Sequence, residues 1–162
     1  MSPRRALGLA DLAALADALA DDAQPAGICA AVEALSGEAI GHRLFTVMRF
    51  DPDRLEVERL HSSLPSVYPV GGRKKKKDTA WADHVLRDRK VFRASDAAGI
   101  RAAFDDHDTI SGLGLGSALN IPLVFDGRAL GTMNLLHEAG WYTTEDEDAG
   151  RVLGAFLLPA VM

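Results

Sequence analysis

The strongest constraint on the fold is the dipeptide Asp126-Gly127, which stands between two apolar runs. Residues 118–125 precede this dipeptide and residues 129–137 follow it. An Asp-Gly pair in this setting is a strong local signal for a β-hairpin, because both residues tolerate the positive φ angles of a tight turn. Two strands joined by so short a turn must be antiparallel. The sequence therefore predicts an antiparallel sheet that contains this hairpin.

A second hairpin is predicted nearer the N-terminus. Residues 43–50 and 55–61 are rich in β-branched, aromatic and long side chains. The intervening Asp51-Pro52-Asp53 has the composition of a turn. This pattern adds two more antiparallel strands to the predicted sheet.

Helices are predicted at both ends of the chain. The first covers residues 2–20, where a Ser-Pro pair gives a good helix start, and the second covers residues 25–37. The last begins at Thr144, which is expected to form a capping box with Glu147.

Between the two hairpins the chain makes a long excursion. Residues 62–78 are predicted to be a loop, because prolines and glycines deny this segment regular structure. Short helices at 79–89 and 95–104 flank a brief strand at Phe92, and a glycine-rich loop follows at 111–116. This order of elements predicts an α+β fold with terminal helices packed on one face of an antiparallel sheet.

The residues of the second hairpin resemble the signature of the GAF domain family. They read SALNIPL at 117–123 and DGRALGTMNL at 126–135. The helix, strand and connection before them also resemble that family, so that the resemblance spans residues 25–161. It implies a five- or six-stranded antiparallel sheet with N- and C-terminal helices on one face and a pocket-forming excursion on the other. Residues 25–162 would form the GAF domain, and residues 1–24 an N-terminal helix that we expect to support dimerisation within one structural unit.

The resemblance also implies a function. GAF domains bind cyclic nucleotides, bilins, haem or small metabolites, and many pair through their terminal helices. A bilin site requires a pocket cysteine, but Cys29 lies on the second predicted helix, away from the excursion. The methionine sulfoxide reductases of this family require a pair of redox cysteines, and the chain has one cysteine. We therefore expect a non-enzymatic sensor or regulatory module with a small-molecule ligand and no resident cofactor.

Two alternatives to the sensor remain open. One is a protein–protein interaction or dimerisation module with a vestigial pocket. The other is a small enzyme on the same fold, although no Gly-x-Ser-x-Gly elbow marks a nucleophile. A sensor of this kind would act through an output protein.

The run from Arg73 to Lys77 holds four of the five lysines of the chain. One interpretation is an anion site, in which a mobile basic loop closes over a carboxylate or phosphate. The other is a solvated loop whose like charges repel one another. The anion site predicts Arg73 and Lys77 as ligand-binding residues and favours an anionic ligand.

Further pocket residues are predicted on the excursion and on the hairpin. Trp81 and His84 stand three residues apart on one helix, so they should point the same way. The pocket set also includes Phe104 on the excursion. Asn120 and Asn134 need hydrogen-bond partners if they are buried, and a polar ligand would supply them. The alternatives are a core position for Trp81, a half-exposed His84 and asparagines that cap the backbone at the sheet surface.

Other partners receive little support from the sequence. The three acids and one histidine at 105–108 are consecutive and cannot all converge on one ion, so we expect an exposed acidic turn and no metal site. A net charge of −5 argues against nucleic acid. Asp11 and Asp17 interrupt the apolar N-terminal run, which argues against a secretory signal and a membrane span. A lone cysteine suits a reducing compartment, and we expect a cytoplasmic protein.

Apolar positions on the terminal helices predict a homodimer. Leu9, Leu12 and Leu19 lie on one face of the first predicted helix, and residues 152–157 supply apolar side chains from the last. The sheet can cover only part of this area, and exposed apolar stripes usually mark interfaces. We therefore expect two copies of the chain to pair through these helices.

Overall fold

A computed structural model describes residues 4–76 and 78–162. In these residues six strands form one antiparallel sheet in the order β3-β2-β1-β6-β5-β4. The strands are β1 (Leu44–Asp51), β2 (Glu56–Ser62), β3 (Arg73–Lys75), β4 (Phe92–Ala94), β5 (Ser117–Phe125) and β6 (Arg128–His137). The helices are α1 (Leu9–Ala20), α2 (Ala26–Ala39), α3 (Ala80–Ala82, continued by a π-helical turn Asp83–Arg87), α4 (Ala97–Ala103), α5 (His107–Gly112), α6 (Thr144–Ala155) and α7 (Leu158–Val161).

Both predicted hairpins are confirmed, and so is the α+β class. Asp126 and Gly127 have φ angles of 53° and 71°, which is the left-handed geometry that the tight turn between β5 and β6 requires. In that hairpin Asn120 stands directly opposite Asn134. The pairing of β1 with β6 joins the two hairpins into one sheet.

The terminal helices cover one face of the sheet. Side chains of α1, α2, α6 and α7 pack there against alternate residues of the central strands, including Phe45, Leu119 and Met133. Cys29 lies within this core, where burial raises the pKa of its thiol to about 11. The cysteine therefore lies on the buried face of α2.

The excursion covers the opposite face. Because strand side chains alternate, the neighbours of the first core point the other way, among them Leu44, Ala118 and Leu136. These residues pack against α4 and α5, while α3 and its π-helical turn form a separate apolar cluster with Ala129 of β6.

The prediction of a loop over residues 62–78 is wrong at the basic run. Arg73–Lys75 forms the edge strand β3, which pairs with β2 and places lysine and arginine opposite Glu56 and Glu58. Arg73 lies 3.4 Å from Glu56 and 3.7 Å from Glu58, and Lys75 lies 3.8 Å from Glu56. Acids on the neighbouring strand thus offset the repulsion that was expected to keep these residues irregular.

The start of the first helix and the capping residues of the last helix differ from the predictions. The first helix begins at Leu9 rather than at residue 2, because the Gly8 N–H donates to the Asp11 carboxylate at 2.8 Å and fixes the start there. The last helix is capped one residue earlier than expected, since the Thr143 N–H donates to Asp146 at 2.8 Å. Among the described residues, no helix combines the length and hydrophobicity that a bilayer crossing requires.

Candidate ligand-binding cavity

A cavity of about 70 Å³ lies between the sheet and the excursion. Strands β1, β5 and β6 form its floor, and β2, β3, α3 and α5 contribute walls. Its apolar lining comes from both sides and consists of Leu44, Met48, Trp81, Phe104, Ile110 and Leu136. A concave, mostly apolar site with a few polar groups has the character of a small-molecule pocket.

A chain of buried hydrogen bonds crosses the cavity floor. The Trp81 indole N–H donates to the Asn120 Oδ1 at 3.0 Å, and the Asn120 amide donates to the Asn134 Oδ1 at 2.8 Å. The Asn134 amide then donates to the hydroxyls of Thr46 at 3.2 Å and Thr132 at 3.1 Å. These asparagines were expected to need a ligand as hydrogen-bond partner, but neighbouring side chains already supply their partners.

Cationic side chains form the opposite wall. Lys74 Nζ lies 3.6 Å from the Asp106 carboxylate, which also accepts a hydrogen bond from the Tyr68 hydroxyl at 2.6 Å. Lys76 Nζ lies 4.6 Å from the centre of the Trp81 ring. The Arg59 guanidinium stacks over the Tyr68 ring at 5.0 Å. Three cations and one carboxylate thus face the same small apolar cavity.

Burial shifts the titration of these groups. It lowers the pKa of Lys76 to about 8, and the charge of Lys74 adds to this effect. Burial also lowers the pKa of Arg59 and raises that of Tyr68, whose hydrogen bond to Asp106 raises it further. For Asp106 burial favours the neutral acid, but the Tyr68 hydrogen bond and the Lys74 charge outweigh it, so its pKa is lowered. Asp106 therefore stays ionised near neutral pH and neutralises one of the three cations.

The structure brings four of the predicted site residues together and leaves others apart. Trp81, Phe104, Asn120 and Asn134 line the cavity. The lining does not include His84, because its Nε2 lies 2.8 Å from the Val91 carbonyl and its ring packs on Phe92.

The two predicted cations of the basic run have different outcomes. Arg73 is also absent from the cavity wall, since it pairs with the acids of β2. Lys77 lies outside the described residues, so its role in ligand binding stays a prediction.

Several cavity residues were missed by sequence reasoning. Lys74 and Lys76 stand two residues apart, so in an extended segment their side chains point to the same face. The sequence reveals this pairing only if the basic run is treated as a strand and not as a loop. Asp106 was expected in an exposed acidic turn, but its side chain is only 33% exposed. Its partner Tyr68 is 38 residues away in the chain, and no local pattern links the two.

Comparisons with known proteins agree with this architecture. The GAF domain of a phosphoenolpyruvate-protein phosphotransferase from Coxiella burnetii superposes with a TM-score of 0.75 at 17% identity, covering 94% of this chain and 91% of that one. The corresponding Acinetobacter domain gives 0.74 at 12% identity, covering 94% and 91%. The GAF domain of a two-component sensor histidine kinase from Bacillus halodurans gives 0.65 at 13% identity, covering 80% and 88%.

The sequence comparisons identify the family. No curated protein matches the chain significantly. The family model of the GAF domain matches residues 11–157, which include every strand of the sheet and all the cavity residues. The chain therefore belongs to the GAF domain family.

Proposed function

We propose that this GAF domain is a non-enzymatic sensor module that binds a small anion in the cavity between sheet and excursion. The observation that carries the proposal is the convergence of Arg59, Lys74 and Lys76 on an apolar cavity that holds one carboxylate, that of Asp106. The excess of positive charge favours a carboxylate or phosphate over a neutral ligand. The size of the cavity favours a small metabolite over a tetrapyrrole.

Electrostatics in this cavity should be stronger than at an exposed basic patch. The surrounding apolar side chains reduce the local dielectric response, so each cation interacts more strongly with a bound anion than it would in water. An anion would also relieve the mutual repulsion of Lys74 and Lys76, which contributes to the lowered pKa of Lys76. A bound anion should therefore stabilise the arrangement of cationic side chains that binds it.

The structural relatives support a regulatory role. They are GAF domains of phosphoenolpyruvate-protein phosphotransferases and of a sensor histidine kinase. By analogy, the ligand state of this domain would be passed to an output protein. Such a module needs a ligand that binds one conformation better than another, and it needs no catalytic group.

A thermal-shift screen of anionic metabolites tests this proposal. We expect at least one anion to raise the melting temperature of the wild-type protein, with a smaller effect at high salt because screening weakens the attraction. Lys74→Met should lower the affinity for that anion by about tenfold, as expected for the loss of one partly buried charge contact. Its thermal shift should be smaller accordingly. Lys75→Met is the matched control, since Lys75 is on the same strand but 68% exposed and outside the cavity.

Three results would contradict the proposal. The first is a screen in which no anion stabilises the protein. The second is a neutral metabolite that binds more tightly than its anionic analogues. The third is an equal loss of affinity in Lys74→Met and Lys75→Met, because this would assign the effect to overall charge rather than to the cavity.

We also propose that two copies of the chain pair through the terminal helices. Leu9 on α1 is 83% exposed and Val152 on α6 is 43% exposed, which supports an apolar surface available to a partner. Leu12 and Leu19 are half-buried and pack against the core, so this interface differs from the sequence-based expectation on α1 as well as on α6. Leu153 and Leu157 are fully buried within the core and can contribute nothing to it. A dimerisation module with an empty cavity is the alternative function that this surface favours.

The cellular location is proposed from the state of the cysteine. Cys29 is unpaired and buried, and burial raises its thiol pKa to about 11, which keeps it protonated and unreactive. A protein whose one cysteine is a buried thiol is compatible with a reducing compartment. We infer a cytoplasmic location on this basis.

A further inference from the structure

The surroundings of the Lys76 amine differ from those of Lys74 and Lys75 on β3. Lys74 lies near Asp106, and Lys75 lies near Glu56. Among the described residues, no carboxylate lies within ion-pair distance of Lys76, whose Nζ instead lies over the face of Trp81 inside the cavity. A lysine in this position presents its amine to whatever small molecule enters.

The amine is also partly neutral at physiological pH. Burial and the nearby charge of Lys74 lower the pKa of Lys76 to about 8. At pH 7.4 about a fifth of Lys76 would carry a free lone pair, against roughly a thousandth for an unperturbed lysine. Desolvation beside a second cation is a recognised way to turn a lysine into a nucleophile toward carbonyl compounds.

The neighbouring groups define what kind of carbonyl compound would bind. Arg59 and Lys74 line the same cavity and can hold an anionic group of the ligand. The apolar side chains around them limit access of water, which would otherwise hydrolyse an imine. A compound that carries a carboxylate next to an aldehyde or ketone offers its anionic group to Arg59 and Lys74 and its carbonyl group to Lys76.

We propose that Lys76 forms a reversible imine with the carbonyl group of a small oxoacid bound in the cavity. The neutral Nζ attacks the carbonyl carbon and forms the new carbon–nitrogen bond. The two protons of the amine and the carbonyl oxygen then leave as one water molecule, and a carbon–nitrogen double bond remains. No oxidant or reductant takes part, and hydrolysis reverses the step. The inference rests on the anion-binding function proposed above and names its ligand class.

Reductive trapping tests the imine directly. The wild-type protein is incubated with pyruvate and cyanoborohydride, and the modified lysine is located by peptide mass spectrometry as an adduct of pyruvic acid less one oxygen atom. We expect Lys76 to be modified about tenfold or more faster than Lys90, an exposed lysine on the same molecule. The rate at Lys76 should rise with pH through about 8 and level off above it, because the neutral amine is the reacting form.

Variants and a second probe separate covalent from ionic binding. Lys76→Arg keeps the positive charge but cannot form an imine, and Lys75→Arg is the matched control on β3. Lactate has the carboxylate of pyruvate without the ketone. In the wild type and in Lys75→Arg, pyruvate should raise the melting temperature more than lactate does. In Lys76→Arg the two compounds should have equal effects. The melting temperature without ligand shows whether each variant is folded.

The outcomes distinguish this inference from the proposed function. If anions stabilise the protein but Lys76 is trapped no faster than Lys90, the imine is excluded and anion binding stands. If no anion stabilises the protein and no lysine is preferentially trapped, both proposals fail. Preferential trapping at Lys76 that Lys76→Arg abolishes supports the imine.

Discussion

At the scale of single residues, the cavity floor depends on the two asparagines that face each other across β5 and β6. Each amide is buried, and each uses its oxygen and nitrogen on a neighbouring side chain. The chain of bonds ends at Trp81, so the same network that joins the strands also fixes the indole that forms one wall. The orientation of Trp81 toward a ligand is therefore set by the sheet beneath it.

Asn120→Ala should test this network. The substitution leaves the Trp81 N–H and the Asn134 Oδ1 without partners in the interior, and each loss typically costs about 1–3 kcal/mol. We expect the free energy of unfolding, measured with urea, to fall by about 2–4 kcal/mol. Val124→Ala serves as the control, because Val124 is on the same strand but 37% exposed. A loss no larger than that of the control would mean that the amide network contributes little.

At the scale of secondary-structure elements, close approach of strands and helices decides which positions accept a side chain. Gly131 on β6 is the clearest case. A Cβ atom at this position would lie closer to the Met48 carbonyl oxygen of β1 than real Cβ atoms approach, and 2.9 Å from Val161 of α7. The glycine thus allows β1, β6 and α7 to meet.

Gly131→Ala should therefore be strongly destabilising. Relief of the clash requires a shift of the β1 backbone at the centre of the sheet, which we expect to cost about 3 kcal/mol or more. Gly112→Ala is the matched control, since a Cβ there meets nothing within 4 Å. Thermal unfolding of both variants gives the comparison, and a Gly131→Ala protein as stable as Gly112→Ala would contradict the close packing seen here.

At the scale of the whole molecule, different parts of the chain cover the two faces of the sheet. One face carries the terminal helices, whose outer surface includes the exposed Leu9 and Val152. The other carries the excursion and the cavity. A rearrangement of the excursion could reach the helices through the sheet or through Arg93 of β4, whose guanidinium lies 3.2 Å from the Glu147 carboxylate of α6.

The proposed dimer gives a prediction at this scale. Light scattering should report a dimer for the wild-type protein at tens of micromolar. Leu9→Glu should convert it to a folded monomer, because an exposed apolar contact is replaced by a charge. Val70→Glu is the control, since Val70 is also exposed, at 60%, but lies on the excursion side. A monomeric wild type would reject the interface.

Features that depend on neighbours in the chain could be predicted from the sequence alone. The Asp-Gly turn, the strand on each side of it and the helical terminal segments follow from local backbone preferences, and these established the α+β class and the family resemblance. Of the four predicted residues that line the cavity, Asn120 and Asn134 stand on the strands of this hairpin, Trp81 stands on α3, and Phe104 directly follows α4.

The contacts between charged side chains depend on how distant segments pack together in the fold. The loop was predicted from the prolines and glycines that precede the basic run and from the repulsion among its lysines, whereas the acids that pair with strand β3 are on a different strand. Arg59, Tyr68 and Asp106 reach the cavity from three separate segments. Their contacts depend on the packing of the excursion against the sheet, and so does the burial that shifts their pKa values. A local pattern contains no information on such distances, and for this reason the electrostatic half of the site emerged only from the fold.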